Sequence, residues 1–339
     1  MANHKDQHVI PCSYLAAWCD PAAPRGQTQT PYIWRILKDG TAKRKKSPKK
    51  SFTSAHRYTI KLPSGEKNLL LETTTLANLE NQFVAIRGKI CRQQKLTDSD
   101  RIGLCLFTAA MHSRTIRAGD NFTAQLEELR GMCTSLEQQH GTVPSVSNQV
   151  ATMLENAPPA FVAMNMQIQT PLYLAMNMSV LVTDDLLGFI TSDSPCLWFN
   201  PTAHTRPPTC RIPGLGQQDI EVTLPITPHH LLFLSRKNLP FYIEVKQFAV
   251  DEANRQRRAH CTEEFVSWKG ETRPYWFEIL QLPADAWENT DEGKEALRRQ
   301  AEWDEMRKDW EDSLFSRICG RIPVPAVGQV CDRALFPWR

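Results

Sequence analysis

The sequence has no apolar run long enough to cross a lipid bilayer. Its longest nearly apolar stretches, at residues 172–182 and 102–111, are about half the length that a membrane-spanning helix needs. The first residues, Met-Ala-Asn-His-Lys-Asp-Gln-His, carry no apolar core of the kind found in secretory signals. We therefore expect a cytoplasmic protein with no membrane partner.

Several motifs that identify common enzyme and metal-binding classes are also missing. The sequence contains no Walker phosphate loop, no G-x-S-x-G nucleophile turn and no H-E-x-x-H zinc helix. It has ten cysteines, but no two are spaced as C-x-x-C, which argues against a zinc ribbon or a redox motif. We expect reduced thiols, several of them buried as small apolar side chains.

The overall charge does not indicate one class of partner. The net charge is +3, and 41% of the residues are hydrophobic, as is usual for a globular protein. The densest basic stretch is Lys-Arg-Lys-Lys-Ser-Pro-Lys-Lys at residues 43–50. Such a run is typical of a solvated loop, and the alternative is contact with a phosphate backbone. Because no aromatic residue is interleaved with these lysines, the pattern favours nucleic acid only weakly.

Apolar periodicity predicts an α+β fold. Helical spacing occurs at residues 76–90, 97–111 and 120–139, and the second of these segments begins with a capping box at Thr97. Alternating residues at 220–225 and 231–234 predict a β-hairpin. We therefore predict a helical layer over residues 76–170, packed on a mostly antiparallel sheet from residues 180–245. The predicted domain spans residues 1–282, and residues 283–339 form a C-terminal amphipathic helix and an extended tail.

A polar turn follows a short apolar run in the middle of the chain. Residues 186–190 predict a buried strand, after which Thr191, Ser192, Asp193 and Ser194 precede Pro195. Hydroxyl and carboxylate side chains at such a position cap backbone amides. They also form binding or catalytic sites at the ends of buried strands, and both interpretations stay open.

Charged residues occur on two helices that we expect to be buried. Glu80 lies within the apolar face of the segment at 76–90, where an unpaired carboxylate is costly. It is either half of an internal ion pair with an arginine, or a metal ligand or general base. The segment at 97–111 delivers His112, Arg114 and, one turn on, Arg117 at its far end. Cations stabilise a helix C-terminus, and arginines also bind phosphate.

Four pieces, taken in order, carry a family resemblance. They are His8-x-x-Pro11-x-x-Tyr14-Leu15, a helix with Glu72 and Glu80, a helix ending in His112-Ser113-Arg114, and Thr191-Ser192-Asp193-x-Pro195. Over about residues 4–265, the set resembles a mostly prokaryotic family known only as domain of unknown function 4238. A turn at residues 224–228 and a helix bearing Asn254 match that family loosely. The resemblance implies no established activity, so it indicates candidate residues and not a reaction.

The first functional hypothesis is a phosphodiester hydrolase, such as a nuclease or a toxin-like effector in phage defence. A histidine would act as general acid or base, carboxylates would hold Mg²⁺ or Mn²⁺ or orient the histidine, and arginine would bind phosphate. The catalytic candidates are His8, Glu80, His112 and Asp193, of which Glu80 and Asp193 are also the candidate metal ligands. The candidate substrate-binding residues are Tyr14, Arg114, Arg117, Thr191, Ser192 and Asn254.

The second hypothesis is a binding module without catalysis. The same polar residues would then form a buried network that fixes the packing of helices on the sheet. A partner protein would dock on the C-terminal helix and tail. The aromatic residues expected at that surface are Trp303, Trp310, Phe336 and Trp338.

Overall fold

The computed structural model describes residues 6–23, 30–62, 64–141, 143–206, 211–279 and scattered positions between 289 and 305. The chain divides into two compact units, one formed by residues 1–199 and 220–278 and the other by residues 200–219 and 279–339. In the second unit, Asp219 accepts hydrogen bonds from Thr202 at 2.9 Å and Arg206 at 3.2 Å. All elements and sites described below belong to the first unit.

The described α-helices follow the predicted periodicity closely. In chain order they are α1 (Cys12–Leu15), α2 (Ala77–Cys91), α3 (Asp98–Ser113), α4 (Ile116–Gln139), α5 (Val146–Glu155), α6 (Ala157–Leu174) and α7 (Gln247–His260). A π-helical turn, Leu71–Leu76, leads into α2, and 3₁₀ turns lie at Ala16–Trp18, Pro48–Lys50 and Pro274–Phe277. The predicted capping box is present, because Thr97 accepts from the Asp100 amide and the Asp100 carboxylate accepts from the Thr97 amide.

Aromatic side chains from three helices form the centre of the helical layer. Phe83 on α2 and Phe107 on α3 stack with their ring centroids 3.8 Å apart. Tyr14 on α1 packs against both rings at 5.9 and 6.1 Å and is fully buried. This cluster covers the face of α3 that carries Phe107.

In the described part of the chain, the strands form two larger sheets and two short pairs. The strands are β1 (Asp6–His8), β2 (Ile33–Leu37), β3 (Lys43–Lys46), β4 (Thr53–Ala55), β5 (Ile60–Lys61), β6 (Lys67–Asn68), β7 (Asn177–Val182), β8 (Thr191–Ser192), β9 (Leu197–Phe199), β10 (Glu221–Thr227), β11 (His230–Ser235), β12 (Tyr242–Glu244) and β13 (Glu264–Ser267). One sheet has the order β12-β7-β11-β10-β9, and the other has the order β3-β2-β13-β8. Of their pairings, only β12 with β7 is parallel, so both sheets are mostly antiparallel.

The α+β prediction is therefore confirmed, together with the predicted hairpin, which is formed by β10 and β11. Among the described residues, no helix combines the length and the apolar character that a bilayer crossing requires. The aromatic residues proposed to dock a partner (Trp303, Trp310, Phe336 and Trp338) lie outside the described residues. A C-terminal extension that begins at residue 283 stays a prediction.

Residues 186–190 do not form the predicted strand. Leu187, Phe189 and Ile190 are buried, but Leu186 is 64% exposed. The backbone here is irregular, because the Asn254 side chain accepts from the Ile190 amide at 2.9 Å and donates to the Gly188 carbonyl at 2.8 Å. The Asn254 side chain thus satisfies two backbone groups of this segment, and the Phe189 amide donates to the Pro228 carbonyl at 2.6 Å.

Gly188 holds a conformation that other residues adopt only with strain. Its φ is +59°, and a Cβ atom added there would lie 2.2 Å from the carbonyl oxygen of Pro228. We expect Gly188→Ala to lower the free energy of unfolding by about 2 kcal/mol or more. The matched control is Gly131→Ala on exposed α4, where no atom lies within 4 Å; it is expected to stabilise the helix slightly. Urea unfolding measures both changes, and a Gly188→Ala protein as stable as the control would contradict this account.

Candidate functional site

Arg114, the residue that ends α3, connects three separate parts of the chain. Its Nη1 donates to Glu80 Oε1 on α2 at 2.8 Å, and its Nη2 donates to the carbonyl oxygen of His8 in β1. Tyr58 donates to the Arg114 carbonyl at 2.9 Å, and the guanidinium lies 5.3 Å from the Tyr58 ring centroid. Three predicted site residues thus meet at one buried guanidinium, which is 1% exposed.

Glu80 forms the internal ion pair that was one of its predicted roles. Glu80 Oε1 accepts from Arg114, and Glu80 Oε2 accepts from the Ser13 hydroxyl at 3.4 Å. Burial lowers the pKa of Arg114, but Tyr58, Glu80 and Glu72 outweigh that effect and hold the pKa above its ordinary value. The guanidinium is charged, and the carboxylate is engaged as its partner.

A second polar group, which joins predicted residues to Arg257, holds the segment from Gly188 to Pro195. The Tyr14 hydroxyl lies 2.8 Å from Thr191 Oγ1, and both side chains are fully buried. Burial raises the pKa of Tyr14 well above its ordinary value, so the hydroxyl stays protonated. Arg257 on α7 donates to the Pro195 carbonyl and, at 2.7 Å, to Thr223 Oγ1. Burial lowers the pKa of Arg257 to about 10, and the group remains a cation at neutral pH.

Asp193 caps the start of β13. Its two carboxylate oxygens accept from three successive backbone amides, those of Thr262 at 2.8 Å, Glu263 at 2.6 Å and Glu264 at 3.0 Å. Ser192 Oγ accepts from the Ser194 amide at 3.1 Å. The polar turn therefore uses its side chains as backbone caps, which is one of the two predicted roles.

His112 is packed as a neutral ring. It stacks on Trp198 with ring centroids 4.1 Å apart and an interplanar angle of 2°. Gln169 Nε2 donates to His112 Nδ1 at 3.1 Å. Burial lowers the pKa of His112 to about 4, so the imidazole is unprotonated at neutral pH.

His112 is expected to make folding stability depend on pH. Its pKa is about 4 when folded and about 6.5 when unfolded, so the unfolded chain binds more protons between these values. Stability is therefore complete above pH 6.5 and is lost as the pH falls toward 4. His112→Phe keeps the stacking ring but removes the proton site, so the variant's melting temperature should fall less over this range. Equal pH slopes for the two proteins would contradict the assignment.

The two carboxylates proposed as ligands for Mg²⁺ or Mn²⁺ are both engaged by protein donors. All the oxygens of Glu80 and Asp193 accept hydrogen bonds from protein donors. In the described ranges, no group of three or more His, Cys, Asp and Glu side chains is arranged to hold a metal ion. Mg²⁺ typically needs several oxygen ligands at short distance, many of them from water or substrate.

A cavity of about 570 Å³ opens between the first turn of α4, the start of β13 and the segment before β4. Its lining carries both signs of charge: the cations are Arg35, Lys50 and Arg117, and the acids are Asp120, Asp193, Glu263 and Glu264. Most of the acids have protein partners. Glu264 accepts from Arg35 and Arg44, and Asp120 accepts from Arg57 at 2.8 Å.

Phe52, on the cavity wall, has a strained backbone. Its φ is +51°, which is rare for a bulky residue. The Phe52 carbonyl accepts from the Val9 amide at 2.8 Å, and the Arg35 guanidinium lies 4.4 Å from the Phe52 ring centroid. Strain of this kind persists where the surroundings fix it, and it is frequent at functional sites.

The basic run at residues 43–50 is not a loop. Its first four residues form β3, an exposed edge strand that pairs with β2. The register sets Trp34 opposite Lys45 and Ile36 opposite Lys43, so these two lysines share a face with the indole. Lys45 Nζ lies 4.5 Å from the Tyr32 ring centroid and 4.8 Å from that of Trp34, and Lys43 Nζ lies 5.4 Å from Trp34. The aromatic interleaving that is missing along the sequence is thus provided across the hairpin.

The lysines of this stretch have no acidic partner among the described residues, unlike the two arginines beside them in the sheet. We call Lys43, Lys45, Lys46, Lys49 and Lys50 the basic strand lysines. None of them forms an ion pair with another residue in the part of the chain that the structure describes, whereas Arg35 and Arg44 share Glu264. His8 supports this stretch, because its Nε2 lies 3.1 Å from the Lys49 carbonyl oxygen.

A family model described as "Protein of unknown function (DUF4238)" matches residues 6–269. The chain belongs to this family. No curated protein and no solved structure matches it.

The DUF4238 match spans both polar groups, the cavity and the basic strand lysines. Within it, the structure joins His8, Glu80 and Arg114 in one group and Tyr14, Thr191 and Asn254 in another around residues 188–195. Asp193 and Arg117 line the cavity instead, and His112 lies in the stack with Trp198. The predicted set is therefore divided among several environments.

Sequence reasoning missed several residues that matter in this DUF4238 chain. Arg257 and Glu264 are buried charges whose partners lie far away in the sequence. Tyr32 and Trp34 were detectable, because Asp39-Gly40 is a hairpin signal between residues 33–37 and 43–46. Once that hairpin is placed, the lysines and the aromatic residues face each other.

Proposed function

We propose that this DUF4238 protein binds nucleic acid through the basic strand lysines. The observation that carries the proposal is a concentration of positive charge: six of the eight residues at 43–50 are Lys or Arg, of which Arg44 alone forms an ion pair with a described residue, and no acidic residue occurs between Asp39 and Glu66. Neutralising phosphates with such a stretch releases counterions, which supplies most of the affinity for nucleic acid.

The aromatic residues under two of these lysines support the proposal. Lys43 and Lys45 lie over Trp34 and Tyr32 at distances typical of cation–π contacts. A lysine held in this way loses less side-chain freedom when it meets a phosphate. Lysines on an edge strand also prevent edge-to-edge association, but that role requires neither aromatic support nor the additional pair Lys49 and Lys50.

The direct experiment is fluorescence anisotropy with labelled single- and double-stranded RNA and DNA, in a series of salt concentrations. The proposal predicts saturable binding that weakens steeply as salt rises, because each released counterion contributes to the slope. Binding that is absent at about 50 mM salt for all four nucleic acids would overturn it.

Hydrolysis of the bound phosphodiester is the second candidate function. It is favoured by one observation: Asp193 lines the same cavity as Arg117 and Lys50, so one cavity carries a carboxylate together with cations that suit phosphate. The experiment is cleavage of the same labelled nucleic acids with Mg²⁺, Mn²⁺ or EDTA, comparing wild type with Asp193→Asn. Cleavage lost in a folded Asp193→Asn protein supports hydrolysis, and binding without cleavage leaves a binding module.

A further inference from the structure

The cavity begins where the basic stretch ends. Lys50, the last of the basic strand lysines, lines it together with Arg35, which is paired in the sheet opposite Arg44 of β3. In the hairpin register, Arg35 shares a face with Arg44 and Lys46, whereas Lys43 and Lys45 lie on the opposite face with Trp34. A nucleic-acid strand that lies along the exposed edge of β3 would meet lysines of both faces, and it would reach the cavity on the side of Arg35 and Lys50. Arg117 and the first turn of α4, a helix of 24 residues, lie on the far wall.

The lining of the cavity suits a ligand that is not a simple anion. Arg117, Lys50 and the positive end of α4 suit a phosphate. Val9, Ile116 and the Phe52 ring provide apolar surface. Glu263 and Asn121 offer acceptors for hydroxyl or amine donors.

The volume also restricts the ligand. About 570 Å³ lies within the range of small-molecule sites and fits one nucleotide. A phosphate, a sugar with hydroxyl donors and a flat base together match the three kinds of surface in the lining. The partners of Glu264, Asp120 and Asp193 within the protein offset part of the acidic charge that would otherwise repel a phosphate.

We infer that the cavity receives the terminal, phosphate-bearing nucleotide of a single strand that lies along β3. This inference rests on the proposed nucleic-acid binding and names the part of the ligand that enters the fold. The strand contributes affinity through β3, and its end contributes selectivity through the cavity.

The experiment compares single-stranded DNA molecules that have the same sequence but different ends. Anisotropy is measured for a labelled single-stranded DNA of about 20 nucleotides with a 5′-phosphate, with a 3′-phosphate, with hydroxyl ends, and as a closed circle. We expect one phosphorylated form to bind about 10-fold tighter than the circle, the difference that about 1.4 kcal/mol of added interaction produces. In the Arg117→Gln protein, the ratio of the affinity for this phosphorylated form to the affinity for the circle should fall toward one.

Lys49→Gln is the matched variant, because Lys49 belongs to the basic stretch but does not line the cavity. It should weaken binding of linear and circular DNA alike and leave their ratio unchanged. Circular dichroism and melting temperature check that both variants are folded. Tight binding with equal affinity for the circle and every linear form overturns the cavity inference alone. No binding of any form overturns the proposed function, and the inference with it.

Discussion

Replacement of Lys43, Lys45 and Lys46 by glutamine is expected to weaken nucleic-acid binding about 100-fold at 0.1 M salt. All three side chains are exposed, and none forms an ion pair with a described residue. Each lysine that contacts a phosphate contributes through counterion release, so their effects should accumulate along the strand. Fluorescence anisotropy of the triple variant against wild type measures the change.

The control is a second triple variant that removes three positive charges from another part of the surface. Lys61, Lys67 and Lys95 are also exposed, and Lys61→Gln, Lys67→Gln and Lys95→Gln together change the net charge by the same amount. This control should retain affinity within about threefold, because only the long-range field changes. Equal losses in the two triple variants would mean that overall charge, and not β3, governs binding.

Arg114→Met is expected to lower the free energy of unfolding by about 3 kcal/mol. The substitution keeps an apolar stem but removes the donors to Glu80 and to the His8 carbonyl. This loss is at the low end for breaking a buried ion pair, because the Glu80 side chain is 23% exposed and water can still solvate its carboxylate. Urea denaturation measures the loss.

Two further variants show whether the loss of stability comes from the buried ion pair and not from the removal of a positive charge in general. Lys237→Met removes an exposed partner of Glu221 and should cost less than about 1 kcal/mol. The double variant Arg114→Met with Glu80→Leu should recover much of the loss, because no buried charge is left without its partner. An Arg114→Met protein that is as stable as Lys237→Met would contradict the role given to Arg114.

The helices and the main hairpin were predictable because their signals are local. The spacing of Leu79, Phe83, Ile86 and Ile90 defines one buried face, and all four are buried in α2. The capping box at Thr97 involves residues only three apart. Elements of this kind depend on neighbours in sequence, so a single sequence is enough to locate them.

The site could be predicted only in part, because its ion pairs and hydrogen bonds join residues that lie far apart in the sequence. Glu80 needs Arg114, which lies 34 residues further along the chain, and Gly188 needs Asn254 at a separation of 66 residues. The sequence indicates that such polar groups need partners, but it does not say which groups meet. The irregular backbone at 186–190 has the same origin, since a distant amide replaces a local strand partner.

Three buried polar side chains hold the backbone of this fold, and two of them, Arg114 and Asn254, belong to the family resemblance. Arg114, Asn254 and Arg257 each satisfy backbone carbonyls that would otherwise be buried without donors. They hold the elements around the cavity in place, whereas the residues proposed to bind nucleic acid lie on β3, on the turn that follows it and at the cavity.

The salt dependence of binding tests the central claim most directly. A plot of log Kd against log salt concentration is made for a single-stranded RNA with wild type and with the Lys43, Lys45 and Lys46 glutamine variant. The account predicts a steep slope for wild type and a slope smaller by about 2 for the variant, as expected when three phosphate contacts to a single strand are lost. Equal slopes for the two proteins would contradict the claim that the basic strand lysines contact phosphates.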